Sequence, residues 1–335
     1  MKVIITGAGG YIGSVASQLF LKRNFEVVAI DNFTTGFKKP LQILQKEFGS
    51  TKLRFYKRDL NFNLDPIFDK EKGVDAVIHF AANCLVDDSM KNPQKYFQNN
   101  VCGSQNLLTA VLKYGIKNIV FSSTCAVYGD VRQIPVMETH PTNPTNPYGE
   151  SKKIAEEIIR WYGKILGLNY VILRYFNVCG ASSDGQIGDS KKPSVHLVQN
   201  AIRAALGIED FSLTCPEVNT PDKTPIRDYV DVVDVAEAHI KAVDYLMENG
   251  SSEVINLGTG KGNSVLEIIN IVQNATGKKF NIKKSKSSRI GEYGKIVASI
   301  DKAKQKLGWQ PTKTLEDSIK SSILWYEKHP NGWAY

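Results

Sequence analysis

The sequence predicts a doubly wound α/β fold, a parallel sheet with helices on both faces, carrying a smaller C-terminal lobe. Three observations predict it. A short apolar run, Val3-Ile4-Ile5, opens directly into glycines at positions 7, 10 and 13. A second run, Glu26 to Ile30, closes on Asp31. Beyond it, runs of strand length keep alternating with helical patterns, the rhythm of a parallel sheet built from βαβ units.

The elements follow in order. Val3 to Ile5 is the first strand, the glycines form the turn, and a helical pattern runs from Ser14 to Lys22. Glu26 to Ile30 is the second strand. Leu53 to Tyr56 reads as the third, with Asp59 and Leu60 just beyond it, and Ala76 to Phe80 as the fourth, ending in Ala81-Ala82. Tyr96 to Tyr114 reads as one long helix. Asn118 to Ser122 is a strand running into Ser123-Thr124. Tyr148 to Leu166 is a helix with Pro147 at its start, where a missing N–H costs nothing. Tyr170 to Arg174 and a late run, Glu253 to Leu257, complete the sheet. After Tyr175 the pattern loosens, with one clear helix at about Val195 to Leu206. The expected division is a Rossmann-type domain of residues 1–176 plus about 232–260, and a substrate lobe of residues 177–231 and 261–335. The lobe closes over the carboxyl edge of the sheet, where ligands of such folds bind.

Composition narrows the class. A chain of 335 residues, 42% of them apolar, can bury a substantial core. No stretch approaches the roughly 20 apolar residues of a membrane span. Glycines interrupt the N-terminal run before a signal peptide could form, so a soluble cytoplasmic protein without membrane partners is expected. Lys+Arg number 42 against 34 Asp+Glu, a net charge of +8. The basic residues are scattered and not interleaved with aromatics, which argues against nucleic acid as a partner. The five cysteines, at positions 84, 102, 125, 179 and 215, lack the spacing of a metal knuckle, so reduced thiols and no metal are expected.

Gly7, Gly10 and Gly13, after a strand and before a helix, suit a pyrophosphate. The backbone can come close, and the helix N-terminus offers free N–H groups and a positive dipole end. Asp31, ending the second strand, would accept from both ribose hydroxyls and repel a 2′-phosphate, which favours NAD over NADP. Asp59 and Leu60 would flank the adenine. Phe80 followed by Ala81 and Ala82 would let the cofactor lie flat against the sheet edge. Asn99 faces the same edge, either as a cofactor contact or as a structural hydrogen-bonding residue.

Tyr148-Gly149-Glu150-Ser151-Lys152 puts a phenol and an ammonium one helical turn apart. A free tyrosine titrates near ~10 and is a poor base at neutral pH. A fixed ammonium and an oxidised nicotinamide ring nearby would favour the phenolate, and Lys152 can also hold the nicotinamide ribose. Thr124, at the end of the strand upstream, would hydrogen-bond the reacting oxygen and help pass its proton.

These residues sit in stretches that resemble a known family along nearly the whole chain. They include VIITGAGGYIG (Val3–Gly13), HFAA (His79–Ala82), FSSTCAVYG (Phe121–Gly129), NPYGESK (Asn146–Lys152), RYFNVCGA (Arg174–Ala181), TPDKTPIRDYVDVVDVAEAH (Thr220–His239), NLGTG (Asn256–Gly260) and KLGWQP (Lys306–Pro311). The chain resembles the extended short-chain dehydrogenases/reductases, and most closely the UDP-glucose 4-epimerase family. That resemblance implies that Tyr148 takes the proton of the sugar 4-hydroxyl. It implies that the C4 hydride passes to tightly bound NAD and returns to the other face of a 4-keto sugar. Further cofactor contacts by Tyr11, Ile12, Asn32, Ser122 and Tyr175 are implied. So are substrate contacts by Asn177, His196, Leu197, Arg227, Arg289 and Glu292, and a homodimer.

The stretch Val86-Asp87-Asp88-Ser89 departs from the family's usual Val-Gly-Glu-Ser, and four further positions depart from the family pattern. Cys84 stands where a lysine is frequent, Asp231 where histidine is common, and Glu292 where the family carries aspartate. Ile296 falls at the position that gates N-acetylated sugars. The expected reaction is interconversion of UDP-glucose and UDP-galactose. Other UDP-sugars (N-acetylated, UDP-xylose/arabinose or UDP-glucuronate) are the alternative substrates, and a non-catalytic NAD sensor is the reading from another class. A dehydratase of this superfamily would follow Thr124 with Asp-Glu, and here Cys125-Ala126 follow.

Overall fold

The computed structural model describes residues 1–131, 133–191, 194, 196–284 and 294–333. Seven parallel strands form the central sheet. They are β1 (Lys2–Thr6), β2 (Glu26–Asp31), β3 (Leu53–Lys57), β4 (Ala76–His79), β5 (Asn118–Thr124), β6 (Asn169–Tyr175) and β7 (Glu253–Leu257). In space they run β3-β2-β1-β4-β5-β6-β7. The winding therefore reverses between β1 and β4, and the carboxyl ends of those strands flank the crevice where such sheets bind ligands. Their sequences are continuously apolar rather than alternating, because both faces of a parallel sheet are covered.

The helices that shape the site are α1 (Tyr11–Lys22), α2 (Gly103–Lys113), α3 (Pro147–Leu166), α4 (Leu197–Ala205), α5 (Val232–Met247), α6 (Val265–Thr276) and α7 (Leu315–Lys328). Alternate residues of each strand enter opposite cores. Val3, Ile5, Val27 and Leu173 pack with Val15 and Phe20 of α1 and Val235 and Val243 of α5. Ile4, Val28, Val77 and Ile172 pack with Leu107 and Val111 of α2 and Ala155 and Ile159 of α3. A third core joins Ile202 of α4, Ile269 of α6 and Trp325 of α7. Beside it, Asn177–Cys179 pairs with Tyr229–Asp231, and Ile226–Arg227 lies between Asn263–Ser264 and Lys295–Ile296.

Two elements differ from expectation. The single helix expected over Tyr96 to Tyr114 is a short α-turn at Pro93–Tyr96, a π-helical turn at Phe97–Cys102, and then α2. The wider turn inserts a residue into the helical path and leaves Asn100 buried and bonded on both sides, a polar requirement that apolar periodicity does not carry. The helix Lys38–Phe48 has no counterpart in the sequence reading. No helix among the described residues is long and apolar enough to cross a membrane, and no group of three or more His, Cys, Asp or Glu among them is placed to hold a metal. The five cysteines are free thiols.

Candidate active site

β1 ends at Thr6, and Gly7 turns the chain at φ +69°, where glycine avoids the strain other residues meet. A Cβ at Gly7 would lie 2.6 Å from the Ala81 nitrogen, and one at Gly13 would lie 2.2 Å from the Gly7 carbonyl oxygen. Both positions therefore exclude side chains, and the loop lies close against the Phe80-Ala81 end of β4. Gly10 is the N-cap of α1 and brings no capping side chain, so the first-turn N–H groups remain available to an anion at the positive end of the helix. The Tyr11 phenol points away from the loop, donating to the Gly180 carbonyl at 2.5 Å, and Ile12 packs on the sheet core.

Asp31 closes β2 and is buried. Its Oδ2 accepts from the Gly9 N–H at 2.9 Å and its Oδ1 from the Phe33 N–H at 2.7 Å. Burial raises its pKa, and the two backbone donors work the other way. Each oxygen keeps a lone pair for a hydroxyl. Asn32 donates to Asp59 Oδ2 at 2.7 Å, and Asn106 donates to the Leu60 carbonyl at 2.5 Å, which fixes the turn after β3. A backbone cradle open to a diphosphate and a buried carboxylate for a ribose fit NAD.

Tyr148 is the second residue of α3. Pro147 occupies the first position, and the Asn146 side chain caps the helix by accepting from the Gly149 N–H at 2.8 Å. The Tyr148 phenol lies beside Thr124, which ends β5. Burial pushes the phenol well above its ordinary range, and the Thr124 hydroxyl opposes that rise. Lys152, one turn on, is buried, and its Nζ donates to the Ser122 carbonyl at 2.7 Å. Its ammonium also lies 4.7 Å from the centre of the Phe121 ring. Burial lowers its pKa to about 8. The Ser122 hydroxyl bonds the Tyr175 phenol at the end of β6. Cys84, beyond the end of β4, lies within electrostatic reach of Tyr148, Lys152 and Tyr175, and its Sγ accepts from Lys191 Nζ at 3.0 Å.

Residues that the sequence reading passed over hold this centre. Asn100 Nδ2 donates to Ser151 Oγ and to the Asn83 carbonyl, each at 2.9 Å, and its Oδ1 accepts from the Asn83 N–H at 2.8 Å. Asn99 is only half-buried and donates to Asn100 Oδ1 at 2.9 Å. The adjacent pair Asn99-Asn100 is the signal that could have pointed to this anchor. The Cys84–Lys191 contact has no local signature.

The expected substrate residues lie on the facing lobe. The Asn177 N–H donates to the Asp228 carbonyl at 2.9 Å. The Asp228 carboxylate accepts from the Thr259 N–H and hydroxyl at 2.8 and 2.7 Å and from the Gly260 N–H at 3.0 Å, which pins the strand carrying Arg227. The charge of Arg227 reaches the Cys125 thiol, next to Thr124. His196 is the N-cap residue of α4, with Nε2 3.9 Å from Asp189 Oδ2, and Leu197 opens that helix half-buried. Arg289 and Glu292 lie outside the described residues. Ile296 pairs with Arg227 and is buried in the main core. Asp231 caps α5 by accepting from the Val233 N–H at 2.8 Å.

Comparison with known proteins agrees with this geometry. Residues 3–258 match the NAD dependent epimerase/dehydratase family. The chain is similar to a UDP-glucose 4-epimerase of Lacticaseibacillus casei, 40% identical over 100% of this chain and 99% of the relative. It is similar to a crystal structure of a UDP-glucose 4-epimerase, with TM-score 0.93, 37% identity and full coverage of both chains. The UDP-glucose 4-epimerase of Bifidobacterium longum in complex with NAD+ and UDP also superposes with TM-score 0.93, at 32% identity over 99% of this chain and 100% of that one.

Proposed function

The chain belongs to the NAD dependent epimerase/dehydratase family, and from that premise we propose that it is a UDP-glucose 4-epimerase, an isomerase that inverts the sugar at C4 with bound NAD. The observation that carries the reading is the buried Tyr148 phenol beside Thr124, one turn from buried Lys152 and near a cradle that fits NAD. A dehydratase needs an acid pair after Thr124, and Cys125-Ala126 cannot supply it.

NAD, when bound, accepts and returns the C4 hydride, and its oxidised ring adds positive charge beside the phenol. The chain's own residues move the proton. Burial keeps the Tyr148 phenol protonated in the ligand-free chain, so the base form depends on positive charge brought close to it. Thr124, beside the phenol, bridges to the sugar 4-oxygen and passes its proton. Lys152 is held by the Ser122 carbonyl and has two further N–H donors for the nicotinamide ribose. Gly7, Gly10, Gly13 and the Tyr11 and Ile12 backbone take the diphosphate of the dinucleotide, and Asp31 and Asn32 take its ribose. Asp59, Leu60, Phe80, Ala81, Ala82, Asn99, Ser122 and Tyr175 line its length.

Inversion requires the 4-keto sugar to turn while UDP stays held. Arg227 and Arg289 serve the diphosphate, Asn177 the diphosphate or the sugar, His196 and Leu197 the uracil, and Glu292 the ribose. The sugar nucleotide lies between the sheet edge of residues 1–176 and 232–260 and the lobe of residues 177–231 and 261–335. Trp161, Ile165 and Leu166 on α3 are 58%, 66% and 55% exposed, an apolar stripe suited to a second copy of the chain. A homodimer through that stripe is expected to become monomeric on gel filtration when Trp161→Glu is combined with Ile165→Glu. Five free thiols suit a reducing compartment, the cytoplasm.

The decisive experiment incubates purified protein with UDP-glucose, UDP-N-acetylglucosamine or UDP-xylose, without added NAD, and resolves products by proton NMR. UDP-galactose is the expected product of the first. No conversion of any, with or without NAD, removes the proposal.

A further inference from the structure

Lys191 follows Gly188, Asp189 and Ser190 along the chain. Together with Gly9, Gly10, Tyr11, Asp189, Ser190 and Trp333 it lines a small cavity at the N-terminus of α1. Among the described residues, the side-chain acceptor of its ammonium is the Cys84 sulfur at 3.0 Å. A thiol sulfur is a weak acceptor, and an ammonium carries three donors. The Asp189 carboxylate does not complete the set. Its Oδ1 accepts the backbone N–H of Lys191 at 3.2 Å, and its buried Oδ2 receives no hydrogen bond. The Asp189 charge also acts on the ammonium, but among the described residues no oxygen accepts its hydrogen bonds, and a cation so placed beside a helix N-terminus has donors left for an anionic oxygen.

The loop is fixed before any ligand arrives. The Asp189 carbonyl accepts from Trp325 Nε1 at 3.1 Å and from the Tyr326 hydroxyl at 3.0 Å. The Trp333 N–H donates to Ser190 Oγ at 2.5 Å. A Cβ at Gly188 would stand 2.5 Å from the Trp325 ring, so the loop packs directly on the C-terminal aromatics. Binding through Lys191 therefore orders one side chain rather than a whole segment.

We infer that Lys191 is a binding residue of the dinucleotide site, its ammonium pairing with a phosphate oxygen of the diphosphate above the glycine cradle while the Cys84 sulfur remains its second partner. This rests on the proposed NAD-binding reading. A sugar nucleotide also carries a diphosphate, but the cavity shared by Lys191 is walled by the glycine loop of α1.

The test compares wild type, Lys191→Met and Lys191→Arg, each stripped of nucleotide. Calorimetric affinities for NAD and for UDP are measured at low and high salt, with melting temperatures of the stripped proteins as a folding control. Lys191→Met is expected to bind NAD on the order of tenfold more weakly or worse, the size of a lost charge-assisted bond. Its NAD affinity should also depend less on salt, Lys191→Arg should recover most of the loss, and UDP affinity should be unchanged. Equal NAD affinity in wild type and Lys191→Met overturns the inference. So does a tenfold loss for UDP alone, which would assign the ammonium to the sugar nucleotide. If Lys191→Met does not fold, Lys191→Gln provides the same comparison. Wild type that binds no NAD at all overturns the functional reading itself.

Discussion

Glu156 and Arg174 form a two-pronged ion pair inside the protein, Arg174 Nε to Glu156 Oε1 at 2.9 Å and Nη2 to Oε2 at 2.5 Å. Each is 1% exposed. Glu156 lies one turn beyond Lys152 on α3, and Arg174 is on β6, so the pair clamps the helix that carries Tyr148 onto the sheet. The Ser123 hydroxyl also donates to Glu156. Removing one partner leaves the other buried and uncompensated. Glu156→Ala is expected to destabilise the protein by about 3–5 kcal/mol in urea unfolding. A loss below ~1 kcal/mol would mean that the clamp is not needed.

Tyr148→Phe keeps the ring and removes the hydroxyl that lies beside Thr124. Turnover is expected to fall by a factor of ~10²–10⁴. NAD should stay bound, because the cradle and Asp31 are untouched, and nucleotide released on denaturation measures that. Activity close to wild type would remove Tyr148 from the proton path.

In the proposed site Asp31 takes the ribose and selects NAD over NADP by charge and by its two free lone pairs. Asp31→Ala is expected to weaken NAD binding by about tenfold or more and to narrow the preference over NADP. Titration of each nucleotide into stripped protein reads both effects. An unchanged NAD-to-NADP ratio would place the ribose elsewhere.

Acid stability follows from buried groups. Burial lowers His79 to about 3 and His239 to about 4. Between the ordinary histidine pKa of about 6.5 and those values the unfolded chain binds more protons, so stability falls as pH falls through that window. Burial raises Asp231 to about 6, so between that value and the ordinary ~3.9 the native state binds the extra proton and opposes the trend. Asp31, Asp228 and Asp244 are raised as well and His329 is lowered as well, so the histidines dominate only at the upper end of the window, where the aspartates are still ionised. Urea midpoints should therefore drop between pH 7 and pH 6, on the order of 1.4 kcal/mol per pH unit for each net proton. Asp231→Asn, which keeps a capping side chain, should steepen the drop. A midpoint that rises on acidification would contradict the assignment.

Local chemistry was legible in the sequence by itself. The glycine spacing, Asp31 at a strand end, and Tyr148 and Lys152 one turn apart are short-range patterns, and short-range geometry dictates what such residues can touch. The winding of the sheet followed from the alternation of elements for the same reason. Only the tertiary structure decided where the Lys152 ammonium goes, to the Ser122 carbonyl 30 residues away, and that Asn100 rather than Asn99 is the buried anchor. It alone paired Glu156 with Arg174 and set Lys191 on Cys84, 107 residues apart. These contacts join segments brought together by core packing, and the burial that gives each its strength exists only once the chain has folded.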